Sequence, residues 1–331
     1  MSYFAVLGAG SWGATIAQHL VTLDHQVNLW SKFDHEVELL RTAKAHPFIE
    51  DLSLDKKIQL TSNLEEAIDR AEYIVIAIPS HFVRDLFIEL KNVIKNDQKY
   101  IILSKGIEND TLLTMSQVVH EAGDISKDKI IALYGPSHAE EVAKDMPTTL
   151  VSACVDEGTA KEIQHLFSSP TLRIYSNTDI LGVELGGSLK NVFAIAAGIC
   201  DGIGYGDNTK AALMTRGMYE MIRLGTAMGA QKETFQGLSG IGDVIVTCLS
   251  QHSRNRSVGE KIGQGKKLDE VLNEMQMIAE GVKMAKSVHQ LKKKYDIEMP
   301  ISEAVYRILF ENDNAKEAIT ALMIRGLKPE N

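Results

Sequence analysis

The 331-residue sequence has little of several features that would define a class of protein. Its three cysteines, Cys154, Cys200 and Cys248, are widely spaced, so we expect neither a disulfide framework nor a metal cluster, and no metal site. A set this sparse fits a reducing cytoplasm. No run of apolar residues approaches the roughly 18 needed to span a bilayer. No basic region or small-residue cleavage site accompanies the apolar start near Tyr3, so we do not expect a signal peptide. These absences together predict a cytoplasmic protein that is not inserted in a membrane.

An excess of basic residues is also missing. The sequence has 44 Asp and Glu against 35 Lys and Arg, a formal net charge of −9. This charge argues against general affinity for nucleic acid or anionic membranes, while leaving local patches open. Hydrophobic residues make up 44% of the chain and charged residues 24%, as in ordinary globular proteins. The length predicts roughly two domains.

The first half alternates short apolar runs with stretches of helical period. Such alternation predicts an α/β fold with a parallel sheet covered by helices on both faces. The predicted strands are residues 3–7, 27–30, 73–78, 100–103, 130–133, 149–153 and 172–175.

From Asp179 onward no strand is predicted, and long stretches rich in Ala, Leu, Met, Glu and Lys indicate helices. We place the boundary near residues 178–188, which gives a Rossmann-type domain over 1–180 and an all-helical domain over 181–331. The predicted helices of the second half are residues 179–200, 210–228, 268–275, 282–295 and 301–310.

The motif GAGSWG at residues 8–13 follows the first strand and opens the first helix. Gly8 permits a tight turn, Gly10 lets the backbone approach a pyrophosphate, and Gly13 allows close packing of helix on strand. The helix N-terminus that follows would receive the negative charge. A glycine-rich turn alone is weak evidence, but strand before it and helix after it favour a dinucleotide site.

The end of the second predicted strand bears on which dinucleotide binds. NAD-specific folds usually place Asp or Glu there to bind the ribose 2′-hydroxyl. This chain has Ser31 and Lys32, with no carboxylate until Asp34. A hydroxyl and a cation would tolerate or favour a 2′-phosphate, so we expect NADPH to be accepted. Lys32 could equally be an ordinary exposed lysine.

Polar clusters follow several predicted strands, at the edge where open α/β sheets bind ligands. They occupy residues 79–81, 104–106 and 135–139. Lys105 could reach an anion there or could be a surface lysine. His81 and His138 are the histidines best placed for acid–base chemistry, although each alone fits a polar loop residue.

In the second half, Lys190 stands inside an otherwise apolar helix. Partial burial and any cationic neighbour would lower its proton affinity and make it an acid/base, whereas the alternative is a surface lysine. Further along, Ser253-Arg254-Asn255 groups donors suited to a phosphate.

These segments together resemble the bacterial NAD(P)-dependent glycerol-3-phosphate dehydrogenase family over about residues 4–310. The resemblance is carried by GAGSWG at 8–13, SKG at 104–106, GPSHAEEVA at 135–143, the long block at 183–217, GLSGIGDVIVTC at 237–248, SRNRSVGEKIGQG at 253–265 and AEG at 279–281. It implies a Rossmann-type domain followed by an all-α domain like the C-terminal domain of 6-phosphogluconate dehydrogenase. It also implies reversible reduction of dihydroxyacetone phosphate by NAD(P)H to sn-glycerol 3-phosphate, a precursor of phospholipids.

By position, the resemblance gives Lys190 the role of proton donor and acceptor. The implied substrate-binding residues are Lys105, Gly135, Ser137, Lys190, Asp243, Ser253, Arg254 and Asn255. The implied cofactor contacts, added to Gly8, Gly10 and Gly13, are Ser11, Trp12, Lys32, Lys105, Ala139, Arg254, Ile278 and Glu280. One departure lies at residues 46–52, where HPFIEDL replaces a stretch like Asn…Tyr-Leu-Pro-Gly. Because of this departure, the resemblance does not predict the conformation of the loop near the cofactor.

Two other interpretations remain open. One is a different two-domain dehydrogenase, of the 6-phosphogluconate or hydroxyacid type. The other is a nucleotide-sensing protein that binds the cofactor without turnover. The helical half, rich in glycine and methionine, could carry the face of a homodimer, but no segment marks it.

Overall fold

An eight-stranded sheet organises the N-terminal half of the protein in a computed structural model, which describes residues 1–43, 45–275, 279–327 and 329–330. The strands run in the order β3-β2-β1-β4-β5-β6-β7-β8 across the sheet. Their bounds are β1 Tyr3–Leu7, β2 Gln26–Trp30, β3 Gln59–Thr61, β4 Tyr73–Ile76, β5 Lys99–Ile102, β6 Ile130–Tyr134, β7 Thr148–Ala153 and β8 Leu172–Asn177. This order confirms the predicted Rossmann-type sheet.

The sheet is parallel from β3 to β6, but β7 pairs with β6 in the antiparallel sense and β8 runs parallel to β7. The prediction of a parallel sheet is therefore wrong for the last two strands. The connection between β6 and β7 holds only a four-residue helix, Ala139–Val142. A parallel return needs a crossover that spans the length of the sheet, usually a longer helix, and this connection has none.

Seven helices accompany the described strands of this half. They are α1 Ser11–Thr22, α2 Asp34–Thr42, α3 Leu64–Ile68, α4 Val83–Leu90, α5 Met115–Gly123, α6 Ala139–Val142 and α7 Glu157–Phe167. Every residue of β4 and β6 is buried, as expected of strands covered on both faces.

The second half is helical throughout its described residues, as predicted. The helices are α8 Ile180–Ile203, α9 Asp207–Ala227, α10 Asp243–Leu249, α11 Arg254–Gly263, α12 Leu268–Asn273, α13 Glu280–Lys294, α14 Pro300–Phe310 and α15 Ala315–Met323. A 3₁₀ turn at Lys232–Gln236 and a π-type turn at Leu238–Gly242 precede α10.

The chain forms two compact units, one of residues 1–108 and 113–184 and the other of residues 109–112 and 185–331. Helix α8 passes from the first unit into the second between Glu184 and Leu185.

Helix α8 is long and apolar enough, by length and composition, to cross a membrane. Its 24 residues include the charged Glu184 and Lys190, which interrupt the apolar run in the sequence. However, 89% of its apolar window is buried inside the structure. That burial is the pattern of a core helix.

Within the second unit, α8 and α11 pack backbone against backbone through two pairs of glycines. A Cβ atom at any of the four positions would overlap a carbonyl oxygen of the other helix. The glycines are Gly198 and Gly202 on α8 and Gly259 and Gly263 on α11. This close approach fixes the start of α11 against the helix that carries Lys190.

Candidate active site

The glycine turn between β1 and α1 has the geometry expected of a phosphate-binding loop. Gly8 has a φ of +119°, and a Cβ there would lie 2.6 Å from the carbonyl oxygen of Ala77. A Cβ on Gly13 would overlap the carbonyl of Gly8, whereas one on Gly10 would meet nothing within 4 Å. The turn therefore excludes side chains where the backbone is crowded and leaves open space at Gly10, where a ligand could approach.

The start of α1 fits an anionic ligand. Its first turn contains no acidic residue. The Ser11 hydroxyl is buried and has no hydrogen-bond partner within the part of the chain that the structure describes. Trp12 packs partly buried against the core beside it. The first N–H groups of a helix, which have no intrahelical acceptor, and an unpartnered hydroxyl are donors that a pyrophosphate would use.

The end of β2 differs from the expectation. Ser31 is 3% exposed, and its hydroxyl donates to the Glu36 carboxylate, so this hydroxyl is already engaged. Lys32 is exposed next to it.

The atypical segment at residues 46–52 forms a tight turn that places the His46 ring in contact with the glycine turn. Nδ1 of His46 accepts from the Phe48 N–H at 3.3 Å, so Nε2 carries the proton and donates to the Ala9 carbonyl at 3.0 Å. His46 is 4% exposed, and burial lowers the pKa of its ring. The neutral ring thus holds the carbonyl of the peptide whose N–H belongs to Gly10.

The predicted residues that follow β5 and β6 lie together at the carboxyl edge of these neighbouring strands. Lys105 Nζ donates to the Gly135 carbonyl at 3.1 Å, and the Ser137 hydroxyl donates to the same oxygen at 3.1 Å. The ammonium of Lys105 also lies 5.6 Å from the centre of the Tyr134 ring. Ala139 is buried at the first position of α6. Lys105, Gly135 and Ser137 are therefore one cluster, and Ala139 follows it two residues along the chain.

The two histidines singled out in the sequence lie at starts of helical turns in this unit. His81 lies in a short 3₁₀ turn, Ser80–Phe82, with its ring against Phe82, and His138 is the residue before α6.

In the second unit, Lys190 is 8% exposed, which confirms the predicted burial. Its Nζ donates to Asp243 Oδ1 at 2.6 Å and to Thr247 Oγ1 at 2.8 Å. Asp243, which the resemblance places among the substrate-binding residues, is therefore the charged partner of this ammonium. The carboxylate and the Thr247 hydroxyl hold the buried Lys190 ammonium in a fixed orientation.

Thr247 was missed by the sequence reasoning. It lies one helical turn after Asp243 on α10, so the two side chains share a face. Its hydroxyl accepts from Lys190 and donates to the Asp243 carbonyl at 2.6 Å. The spacing of four residues within a helix was the signal that could have identified it, but α10 itself was not predicted.

The phosphate candidates lie at the start of α11. Ser253 is the residue before the helix, and its hydroxyl accepts from the Arg256 N–H at 3.2 Å. Arg254, the first helical residue, is exposed. Asn255 is 9% exposed. An exposed guanidinium beside a helix N-terminus suits an anion.

Asn255 joins three helices. Its Nδ2 donates to Asn191 Oδ1 at 2.9 Å, and its Oδ1 accepts from the Gly281 N–H at 2.9 Å. Asn191 follows Lys190, and Gly281 follows Glu280, the first residue of α13. Of the two remaining predicted cofactor residues, Glu280 thus lies at a helix start tied to this network, whereas Ile278 is outside the described residues.

Comparisons with known proteins match both halves of the chain. The N-terminal model of NAD-dependent glycerol-3-phosphate dehydrogenase covers residues 3–160, and the C-terminal model covers residues 179–320. The chain belongs to this family.

Relatives within the glycerol-3-phosphate dehydrogenase family align over nearly their full length. A protein of Salinibacter ruber named glycerol-3-phosphate dehydrogenase [NAD(P)+] 1 is 48% identical over all of this chain and 98% of its own. A Listeria innocua protein with the name glycerol-3-phosphate dehydrogenase [NAD(P)+] is 49% identical over 98% of this chain and 97% of its own. The crystal structure of the Coxiella burnetii enzyme has a TM-score of 0.93 at 32% identity and covers 98% of this chain and 99% of its own.

A more distant likeness shows the fold alone. D-mandelate dehydrogenase, a hydroxyacid enzyme, has a TM-score of 0.61 at 13% identity. The predicted membership of the glycerol-3-phosphate dehydrogenase family is confirmed by the two family models and by the relatives that are 48–49% identical.

Proposed function

We propose that this protein reduces dihydroxyacetone phosphate reversibly to sn-glycerol 3-phosphate with NAD(P)H, with Lys190 as the general acid/base. The observation that carries the proposal is the Lys190 ammonium, buried and held by Asp243 at 2.6 Å and Thr247 at 2.8 Å. A ketone becomes an alcohol when its carbon gains a hydride and its oxygen gains a proton. In this assignment Lys190 supplies that proton, and in the reverse direction it accepts it.

The nicotinamide, when bound, supplies the hydride. The chain's own residues bind and orient: the glycine turn, Ser11 and Trp12 are assigned to the dinucleotide, with Lys32, Ala139, Ile278 and Glu280 as further contacts. Asp243 holds the ammonium of Lys190 in one direction before the substrate arrives. Such preorganisation lowers the cost of stabilising charge on the reacting oxygen.

The substrate phosphate is assigned to the first turn of α11. Arg254 is exposed there and supplies a guanidinium, while Ser253 and Asn255 shape the turn through their hydrogen bonds. Lys105, Gly135 and Ser137 are assigned to the remaining polar groups of the substrate. Residues 1–180 would then bind the cofactor, and residues 181–331 would carry the proton donor.

We further propose that the enzyme is cytoplasmic, supplies phospholipid synthesis and acts without nucleic acid or membrane insertion. The three cysteines are buried free thiols, in keeping with a reducing compartment. A homodimer is the proposed assembly. It is supported by a row of exposed apolar side chains about one turn apart on and before α10, which are Ile241, Ile245 and Leu249.

The test is a steady-state assay of dihydroxyacetone phosphate reduction with NADH and with NADPH, run beside 6-phosphogluconate and a 2-hydroxy acid. Lys190→Met is expected to lower kcat by about 10²-fold or more, because a positioned acid contributes that much. Binding of NAD(P)H should persist. Lys293→Met, an exposed lysine of α13, is the matched control and should leave kcat unchanged.

Near-normal turnover in Lys190→Met would refute the role of this lysine. Absence of dihydroxyacetone phosphate reduction with both cofactors in the unmodified protein would refute the function as a whole.

A further inference from the structure

A carboxylate lies at the end of β2 although the sequence has none at the expected positions. Glu36, in the first turn of α2, accepts a hydrogen bond from the Ser31 hydroxyl. Ser31 is buried, and its own N–H donates to the Thr61 carbonyl at 3.2 Å. Glu36 is therefore tied to the carboxyl end of β2 by a side chain that is itself fixed.

This end of β2 adjoins the glycine turn. The Gly8 N–H donates to the carbonyl of Trp30, the last residue of β2, at 2.9 Å. Glu36 also lies within electrostatic reach of His46, whose ring donates to the Ala9 carbonyl. Because burial lowers the pKa of His46, its ring is neutral at pH 7 and does not cancel the charge of Glu36.

We propose that Glu36 interacts with the substituent at the 2′ position of the cofactor ribose and makes the enzyme prefer NADH to NADPH. In dinucleotide folds, a carboxylate at the end of the second strand accepts a hydrogen bond from the ribose 2′-hydroxyl. The same carboxylate repels a 2′-phosphate. The inference rests on the proposed assignment of the glycine turn to NAD(P)H, and it identifies the residue that selects between the two forms.

Lys32 is the opposing charge, since an ammonium would attract a 2′-phosphate. It is exposed, so its charge is screened by water and ions and its long side chain must be ordered on binding. Glu36 is already held by Ser31 and loses little freedom. The fixed carboxylate therefore outweighs the mobile ammonium.

The experiment measures dissociation constants for NADH and NADPH by nicotinamide fluorescence, without substrate, on the unmodified protein, Glu36→Gln and Ser31→Ala. We expect NADH to bind about tenfold more tightly than NADPH, the order of effect of one like charge at short range. Glu36→Gln keeps an acceptor for Ser31 but loses the charge, so the ratio should fall to about one. Ser31→Ala should lower this ratio partly, because the Glu36 side chain then loses the hydrogen bond that holds it at the end of β2.

Glu38→Gln is the matched control. Glu38 lies on the same helix, its side chain is 64% exposed, and it pairs with Arg41 at 2.6 Å. Its replacement should leave the ratio unchanged. A tighter NADPH complex in the unmodified protein, or the same ratio in Glu36→Gln, overturns the inference. Failure of both cofactors to bind the unmodified protein would instead refute the proposed function.

Discussion

Lys190 and Asp243 form an ion pair in the core of the second unit, with side chains 10% and 1% exposed. Two charges removed from water are stable only while each has the other, and the Thr247 hydroxyl adds a further bond to the ammonium. The buried pair therefore carries some cost in folding, since an apolar pair of similar volume would need no such compensation.

Asp243→Asn should lower the free energy of unfolding by about 3–5 kcal/mol, because it leaves the buried ammonium without its counter-charge. Urea denaturation measures this loss. Lys190→Met combined with Asp243→Asn should recover part of it. Asp207→Asn is the control, since that carboxylate is fully exposed beside Lys210. Equal losses of stability in Asp243→Asn and Asp207→Asn would show that the buried ion pair has no special contribution.

Individual residues could be predicted where their chemistry was unusual in its own segment. Lys190 stood out as a charge in an apolar helix, and its burial is confirmed. The roles of Thr247 and His46 depend on a hydroxyl or ring brought beside a partner by the fold. The His46 contact leaves no local pattern in the sequence, and the four-residue spacing of Thr247 from Asp243 is informative only once α10 is recognised as a helix.

Among elements, the packing of α8 on α11 decides where the first turn of α11 lies. The four glycines at this contact allow the two backbones to touch, and larger residues would force the helices apart. Arg254 and Asn255 begin α11, so their positions depend on this contact.

Gly259→Ala should destabilise the protein by about 1–3 kcal/mol, because its Cβ would overlap the Ile195 carbonyl oxygen. Since α11 must shift to relieve the overlap, the KM for dihydroxyacetone phosphate should rise severalfold. Thermal unfolding and steady-state kinetics measure the two effects. Gly326→Ala, which meets nothing within 4 Å, is the control. An unchanged KM would show that the contact does not position α11.

Most strands and five of the described helices of the second half were predicted, whereas β3, α10, α11 and α15 were not. The strand β3 has three residues at the sheet edge, of which only Leu60 is apolar, so no apolar run identified it. Helix α10 is short and follows a glycine cluster, and α15 has no buried residue to impose a period. The reversal at β7 depends on how the chain returns to the sheet, which strand composition does not encode.

At the scale of the whole molecule, burial sets how folding responds to pH. Burial lowers the pKa of His19, His25 and His46, so the unfolded chain binds these protons first as pH falls. Stability is then lost as pH falls through about 6.5 toward each lowered pKa, and no further below it. Burial raises the pKa of Glu184 and Glu220, which acts in the opposite direction, because stability is gained as pH falls through each raised pKa toward the ordinary carboxyl value.

His19→Gln isolates one of these contributions. The His19 ring donates to the Phe167 carbonyl at 2.8 Å, and a glutamine amide can make the same bond without titrating. The variant should match the unmodified protein at pH 7.5 and be more stable at pH 5.5, with a difference of at most about 1.4 kcal/mol per pH unit. Urea titrations at both values measure it. Parallel losses in the two proteins would show that His19 is not responsible.

The rate at which the buried thiols are modified reports how often the structure around them opens. Burial raises the pKa to about 11 for Cys154 and Cys200 and about 12 for Cys248, so little thiolate exists in the closed protein at neutral pH. An alkylating reagent must therefore wait for the chain around each sulfur to open. Cys154 lies in the first unit, and Cys200 and Cys248 lie in the second, so modification at each site counts the openings of its own unit.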